Sequence, residues 1–130
     1  DFDIIGDDWL IEDHYYQSIN NWGLANIKPS TPFNTLSGGQ KTKIFLSAIQ
    51  LRNPALILMD EPTNHLDSKG RTQLYEFIQH TNKTLLIVSH DRTLLNLLNN
   101  TFEITPKGLK QYYGNYDFYK AQKEMEHASL

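Results

Sequence analysis

The chain has 130 residues, 39% hydrophobic and 21% charged, which is the length and makeup of one globular domain. It contains no cysteine, which excludes a disulfide framework and favours a reducing, cytoplasmic setting. No apolar run approaches the roughly 18 residues that cross a bilayer, and the acidic opening DFDIIGDDW is unlike a signal peptide. The net charge of −3 is unevenly divided: Asp1, Asp3, Asp7, Asp8, Glu12 and Asp13 all precede the first basic residue, Lys28. No Lys/Arg block marks a nucleic-acid footprint.

Residues 7–22, DDWLIEDHYYQSINNW, predict a helix with Trp9, Tyr16, Ile19 and Trp22 near one face and Gly23 as its stop. A polar loop with two prolines leads to LSGGQKTK, where Ser37 caps a helix over 38–51 with Ile44, Phe45, Ala48 and Ile49 facing inward. Asn53-Pro54 ends it. The run ALILM, followed by Asp60-Glu61-Pro62, is too short for a helix and suggests a strand buried on both faces. Asp67 or Ser68 opens another helix with Leu74, Phe77 and Ile78 on one side. TLLIVSH repeats the buried-strand pattern, and Asp91 caps a Leu-rich helix over 92–99. TFEIT-PKG-LKQYY predicts a hairpin, and Gly114-Asn115 breaks the chain before a last helix over 117–126. Two apolar strands joined by a helix imply a right-handed parallel unit, so the fold class is α/β.

In open parallel sheets, ligands bind beyond the carboxyl ends of the strands. Here those ends carry Asp60-Glu61 and Ser89-His90. Consecutive acids on an extended chain point in opposite directions and can divide labour. One can hold Mg²⁺, which favours carboxylate, water and phosphate oxygens. The other can orient or deprotonate an attacking water, and a histidine can donate to a phosphate oxygen as charge develops. These are pieces of a phosphoryl-transfer site. The glycine pair ahead of a helix has a matching use: it lets amides at the positive helix terminus approach an anion closely.

LSGGQ (36–40), LILMDEPTNHLD (56–67) and IVSHD (87–91) resemble, in that order, the signature motif, the Walker B strand with its D-loop, and the switch histidine of the ATP-binding cassette (ABC) nucleotide-binding domain. EPTNHLD, SHDR and YYGNYDFYKAQKE resemble the ABC-F branch, whose members have two cassettes, lack a transmembrane domain and act on the ribosome. The likeness spans roughly residues 20–125. It implies a P-loop NTPase fold and a chain divided into a helical signature part (1–52), an α/β core (53–113) and the start of a linker helix (114–130). It further implies that Asp60 holds Mg²⁺ through water, Glu61 polarises the attacking water and His90 contacts the γ-phosphate of ATP. Asp67 would lie at a dimer interface, with Ser37, Gly38, Gly39 and Gln40 gripping the γ-phosphate held by a second cassette.

The family's phosphate-cradling loop, GxxxxGK[ST], has no counterpart here; GLANIK (23–28) lacks the second glycine, and its lysine is followed by proline. The resemblance therefore implies the second half of a first cassette, inactive alone, whose His90-bearing strand offers an open edge. Three other readings compete: the ATPase subunit of a membrane transporter, a non-catalytic interaction module with aromatics at 112, 113, 116, 118 and 119, and a metal hydrolase using Asp60, Glu61, His65 and His90. NHLD and the YYGNY tail weigh against the transporter, and LSGGQ is left unexplained by the hydrolase.

Overall fold

The computed structural model describes residues 11–129. Helix α1 (Ile11–Asn21) ends where Gly23 turns to φ +72°, the left-handed backbone that glycine adopts without strain. Helix α2 (Gly38–Arg52) starts in a capping box on Ser37 and stops at Asn53, also left-handed at φ 51°. Strand β1 (Leu56–Asp60), helix α3 (Ser68–His80) and strand β2 (Thr84–Val88) follow, then the single turn α4 (Arg92–Leu95). Strands β3 (Thr101–Thr105) and β4 (Gly108–Tyr112) and helix α5 (Tyr116–Ala128) complete the chain. Residues 7–10, and with them Trp9, lie outside the described residues.

β1 and β2 pair in parallel, from Leu56 opposite Thr84 to Asp60 opposite Val88, which brings both carboxyl ends to one sheet edge. α3 makes the crossover, with Leu74 and Ile78 buried and Phe77 half-buried, the stripe its spacing predicts. One apolar cluster joins Ile19 of α1, Trp22 just beyond it, Leu46 and Ile49 of α2, Ile57 and Met59 of β1, Leu66, Leu74 and Ile78, and Leu94. A polar seam crosses α1 and α2: the buried Ser18 hydroxyl donates to the Ser47 carbonyl at 3.1 Å, and Trp22 Nε1 donates to Gln50 Oε1 at 3.4 Å.

β3 and β4 pair antiparallel around a two-residue turn, Pro106-Lys107, closed by Thr105 opposite Gly108. α5 has no buried residue. It is tied to the hairpin by Lys123 on Glu103 (2.6 Å) and Lys110 on Glu126 (2.7 Å). Tyr112, the one buried aromatic of this unit, packs edge-on against Tyr119 with ring centroids 4.9 Å apart. Tyr113, by contrast, is exposed.

Four expectations are corrected. On α2, Phe45 (48% exposed) and Ala48 face outward, while Leu46 and Ser47 face inward, because the contact with α1 is made through Ser47 and Gln50. On α1, Tyr16 is exposed. β1 and β2 are covered on one face: Ile57 and Met59 are buried, but Leu56, Leu58, Leu86 and Val88 are exposed, since among the described residues the core lies on one side of the sheet. The helix expected over 92–99 stops at Leu95, and turns through Asn96 to Leu98 replace it.

Candidate functional site

The β1–β2 ladder continues one residue past Asp60, with the Glu61 amide donating to the Val88 carbonyl at 2.7 Å. Glu61 then adopts φ +47°, an uncommon conformation for a residue with a side chain and one that costs on the order of 1–3 kcal/mol. The turn brings its carboxylate to the end of β2. Oε1 lies 2.5 Å from His90 Nδ1, and Oε2 accepts the His90 amide at 3.4 Å. The Glu61 side chain is 24% exposed and that of His90 95%, so the carboxylate is seated while the far side of the ring is open to incoming groups. If Nδ1 carries the proton given to Glu61, Nε2 donates only in the doubly protonated ring. Asp60 alternates onto the uncovered face with Leu56 and Leu58, while Glu61, with its positive φ, leaves the strand alternation.

Asp91 holds this edge together. It caps α4 by accepting the Leu94 amide at 3.2 Å and accepts the Tyr75 hydroxyl of α3 at 2.5 Å. Burial pulls the Asp91 carboxyl upward, but hydrogen bonds, those from Tyr75 and Leu94 foremost, outweigh it and leave the group below its usual range. Burial first, then the Asp91 carboxylate, pushes the Tyr75 phenol up to about 12. Sequence reading found the cap but missed Tyr75. The available signal was a tyrosine next to a buried stripe, whose polar tip needs a partner.

At the start of α2, Ser37 Oγ accepts the Gln40 amide at 3.1 Å and Gln40 Oε1 accepts the Ser37 amide at 2.9 Å. Gly38 and Gly39 lie against the turn after β1: a Cβ on Gly38 would sit 2.6 Å from His65 Cβ, and one on Gly39 would sit 2.8 Å from the His65 carbonyl oxygen. Absence of a side chain at both positions is therefore required by internal packing, apart from any approach to an anion. Asp67 caps α3, its Oδ1 accepting the Gly70 amide at 2.8 Å.

The structure thus brings Glu61 and His90 together and puts the Ser37–Gln40 turn against the 61–67 loop, with Asp60 on the uncovered sheet face. His65 goes to the glycines, and among the described residues no group of three His, Asp or Glu side chains could hold a metal ion, which removes the metal-hydrolase arrangement. One exposed carboxylate at a strand end does fit Mg²⁺ taking its other ligands from water and phosphate. Among the described residues no helix is long and apolar enough to cross a membrane.

Residues 22–96 match the family described as "AAA domain, putative AbiEii toxin, Type IV TA system". The chain is 39% identical over 93 residues to the ABC transporter F family member 2 of Dictyostelium discoideum, covering 70% of this chain and 16% of that protein. It is 37% identical over 100 residues to the erythromycin resistance ATP-binding protein MsrA of Staphylococcus epidermidis, covering 75% and 20%. It superposes with a TM-score of 0.57, at 28% identity, on the ATP-binding cassette MJ0796 in a dimeric, post-hydrolysis state bound to ADP and Pi, covering 69% of this chain and 40% of that one. The chain thus spans about a fifth of the length of these curated relatives.

Proposed function

The chain belongs to the ATP-binding cassette ATPases, and from that premise we propose that it supplies the hydrolytic edge of one ATP site and the anion-gripping turn of another. The observation that carries this reading is the Glu61–His90 contact at the joint carboxyl end of two parallel strands. Glu61 orients and deprotonates the attacking water from a position fixed on both sides by His90. His90, open on its far face, donates from Nε2 to the γ-phosphate as charge develops, which requires the doubly protonated ring because Nδ1 faces Glu61. Asp60 holds Mg²⁺ through water, and that ion neutralises phosphate charge when bound. Ser37, Gly38, Gly39 and Gln40 grip the γ-phosphate held by a second cassette, with Asp67 at the interface between the two.

The EPTNHLD and SHDR segments, with the likeness to an F-family member and to an erythromycin resistance protein, support an ABC-F factor acting in the cytoplasm on the ribosome and its RNA, in translation or antibiotic resistance. The test is Glu61→Gln in the complete protein. It lowers ATP hydrolysis about 10²–10⁴-fold and, by halting the cycle after closure, raises ATP-dependent co-sedimentation with ribosomes. Unaltered hydrolysis removes Glu61 from the role of base; slowed hydrolysis without ribosome binding sinks the ABC-F assignment. Residues 1–130 alone, lacking a phosphate-cradling loop, show no ATP turnover, and sustained Glu61-dependent turnover overturns that part.

A further inference from the structure

We propose that His65 is a positioning residue. It sets the gap between the Ser37–Gln40 turn and the loop carrying Glu61: its Cβ excludes a side chain at residue 38, as its main-chain carbonyl does at residue 39. The proposal rests on the functional reading above for its kinetic readout but on packing for its cause.

His65 has φ +68°, a left-handed conformation in which histidine is enriched yet still uncommon. The kink lays its Cβ and Cγ on Gly38 and its carbonyl on Gly39. A Cβ at residue 38 would meet those atoms at 2.6 and 2.7 Å, and one at residue 39 would meet the carbonyl oxygen at 2.8 Å. The His65 Cβ and carbonyl oxygen are fixed by the main chain, so a χ1 change would move the ring but leave the 2.6 and 2.8 Å contacts in place. Nor can the loop retreat. The Asn64 amide donates to the Glu61 carbonyl at 3.2 Å, and the Leu66 amide to the Thr63 carbonyl at 3.2 Å. Thr63 is buried, Leu66 is in the core cluster, and Asp67 caps α3. A displacement of the Ser37–Gln40 turn is therefore passed through His65 to the segment that seats Glu61 against His90.

Two causes for the glycines predict different double mutants. If glycine serves only an approaching phosphate, the identity of residue 65 is irrelevant to Gly38→Ala. If His65 is the cause, removing its Cβ opens the space, and glycine accepts φ +68° without strain.

The experiment is a mutant cycle in the complete protein, followed by steady-state ATPase kinetics and thermal unfolding. Gly38→Ala alone lowers kcat at least about tenfold, and the coupled pair Gly38→Ala/His65→Gly recovers to within about threefold of His65→Gly alone. His65→Gly itself lowers kcat about threefold with KM for ATP little changed, because the spacer is lost while nucleotide contacts remain. In a His65→Asn background, which tolerates positive φ but keeps a Cβ, Gly38→Ala stays impaired. Equal damage from Gly38→Ala in all three backgrounds overturns the proposal, as does a harmless Gly38→Ala. Unfolding midpoints that couple residues 38 and 65 in a protein without ATPase activity sink the functional reading instead and leave the contact standing.

Discussion

The chain holds itself together in two ways. From α1 to α4 the elements meet in an apolar cluster in which Ile19, Leu46, Leu74 and Leu94 are almost completely enclosed. From β3 to α5 the contacts are charged and aromatic: Glu103, Lys123, Lys110 and Glu126 flank Tyr112 and Tyr119, with Lys110 Nζ 5.1 Å from the Tyr112 ring centre and Lys123 Nζ 5.7 Å from that of Tyr119. Apolar burial is indifferent to salt and to moderate pH, whereas exposed ion pairs are screened and contribute little individually. The site candidates Ser37–Gln40, Asp60, Glu61, Asp67 and His90 all lie on the first region. The candidate site thus sits on the part of the chain held chiefly by apolar burial.

Leu74→Ala attacks the first region at its most enclosed point, 0% exposed, and destabilises by about 2–5 kcal/mol, read by urea unfolding. A loss under about 1 kcal/mol in that measurement contradicts the description of this cluster as the main source of cohesion. Asp91→Ala removes the α4 cap and the partner of Tyr75 together and costs about 1–3 kcal/mol. That tie also titrates. Because folding lowers the Asp91 pKa, its contribution is present above about pH 4 and fades as pH falls through the depressed folded value. Because folding raises the Tyr75 pKa, its contribution is present below about pH 10 and disappears as pH rises through about 12. Stability-versus-pH curves for wild type and Tyr75→Phe should diverge least at alkaline pH; parallel curves there refute the assignment. Lys123→Met has the mildest outcome, a small drop in melting temperature that about 0.5 M NaCl abolishes by screening the wild-type pair. A drop that persists in salt would mean that the second region relies on packing after all.

Much of this was legible in the chain. The caps at Ser37, Asp67 and Asp91 were readable because each places a short polar acceptor ahead of a helix-compatible run. The hairpin was marked by Pro-Lys-Gly. Orientation was harder. α2 is apolar on several sides at Ile44, Phe45, Leu46, Ala48 and Ile49, so periodicity could not choose the inward face, and the choice fell to the Ser18–Ser47–Gln50 contacts. The runs LILM and TLLIV reveal a strand but not how many of its faces are covered. The left-handed turns at Glu61 and His65 left no local trace, since glutamate before proline ordinarily favours extended backbone. The contact between His65 and Gly38 joins segments distant in sequence, and no spacing rule reaches it.

The reciprocal bonds between Ser37 and Gln40 have a thermodynamic corollary. The helix start is already ordered, and both side-chain oxygens accept main-chain amides, which leaves the Ser37 O–H and the Gln40 side-chain NH2 as donors for the anion proposed above. If the proposed phosphate contact forms there, these preset donors make it with little further loss of chain entropy.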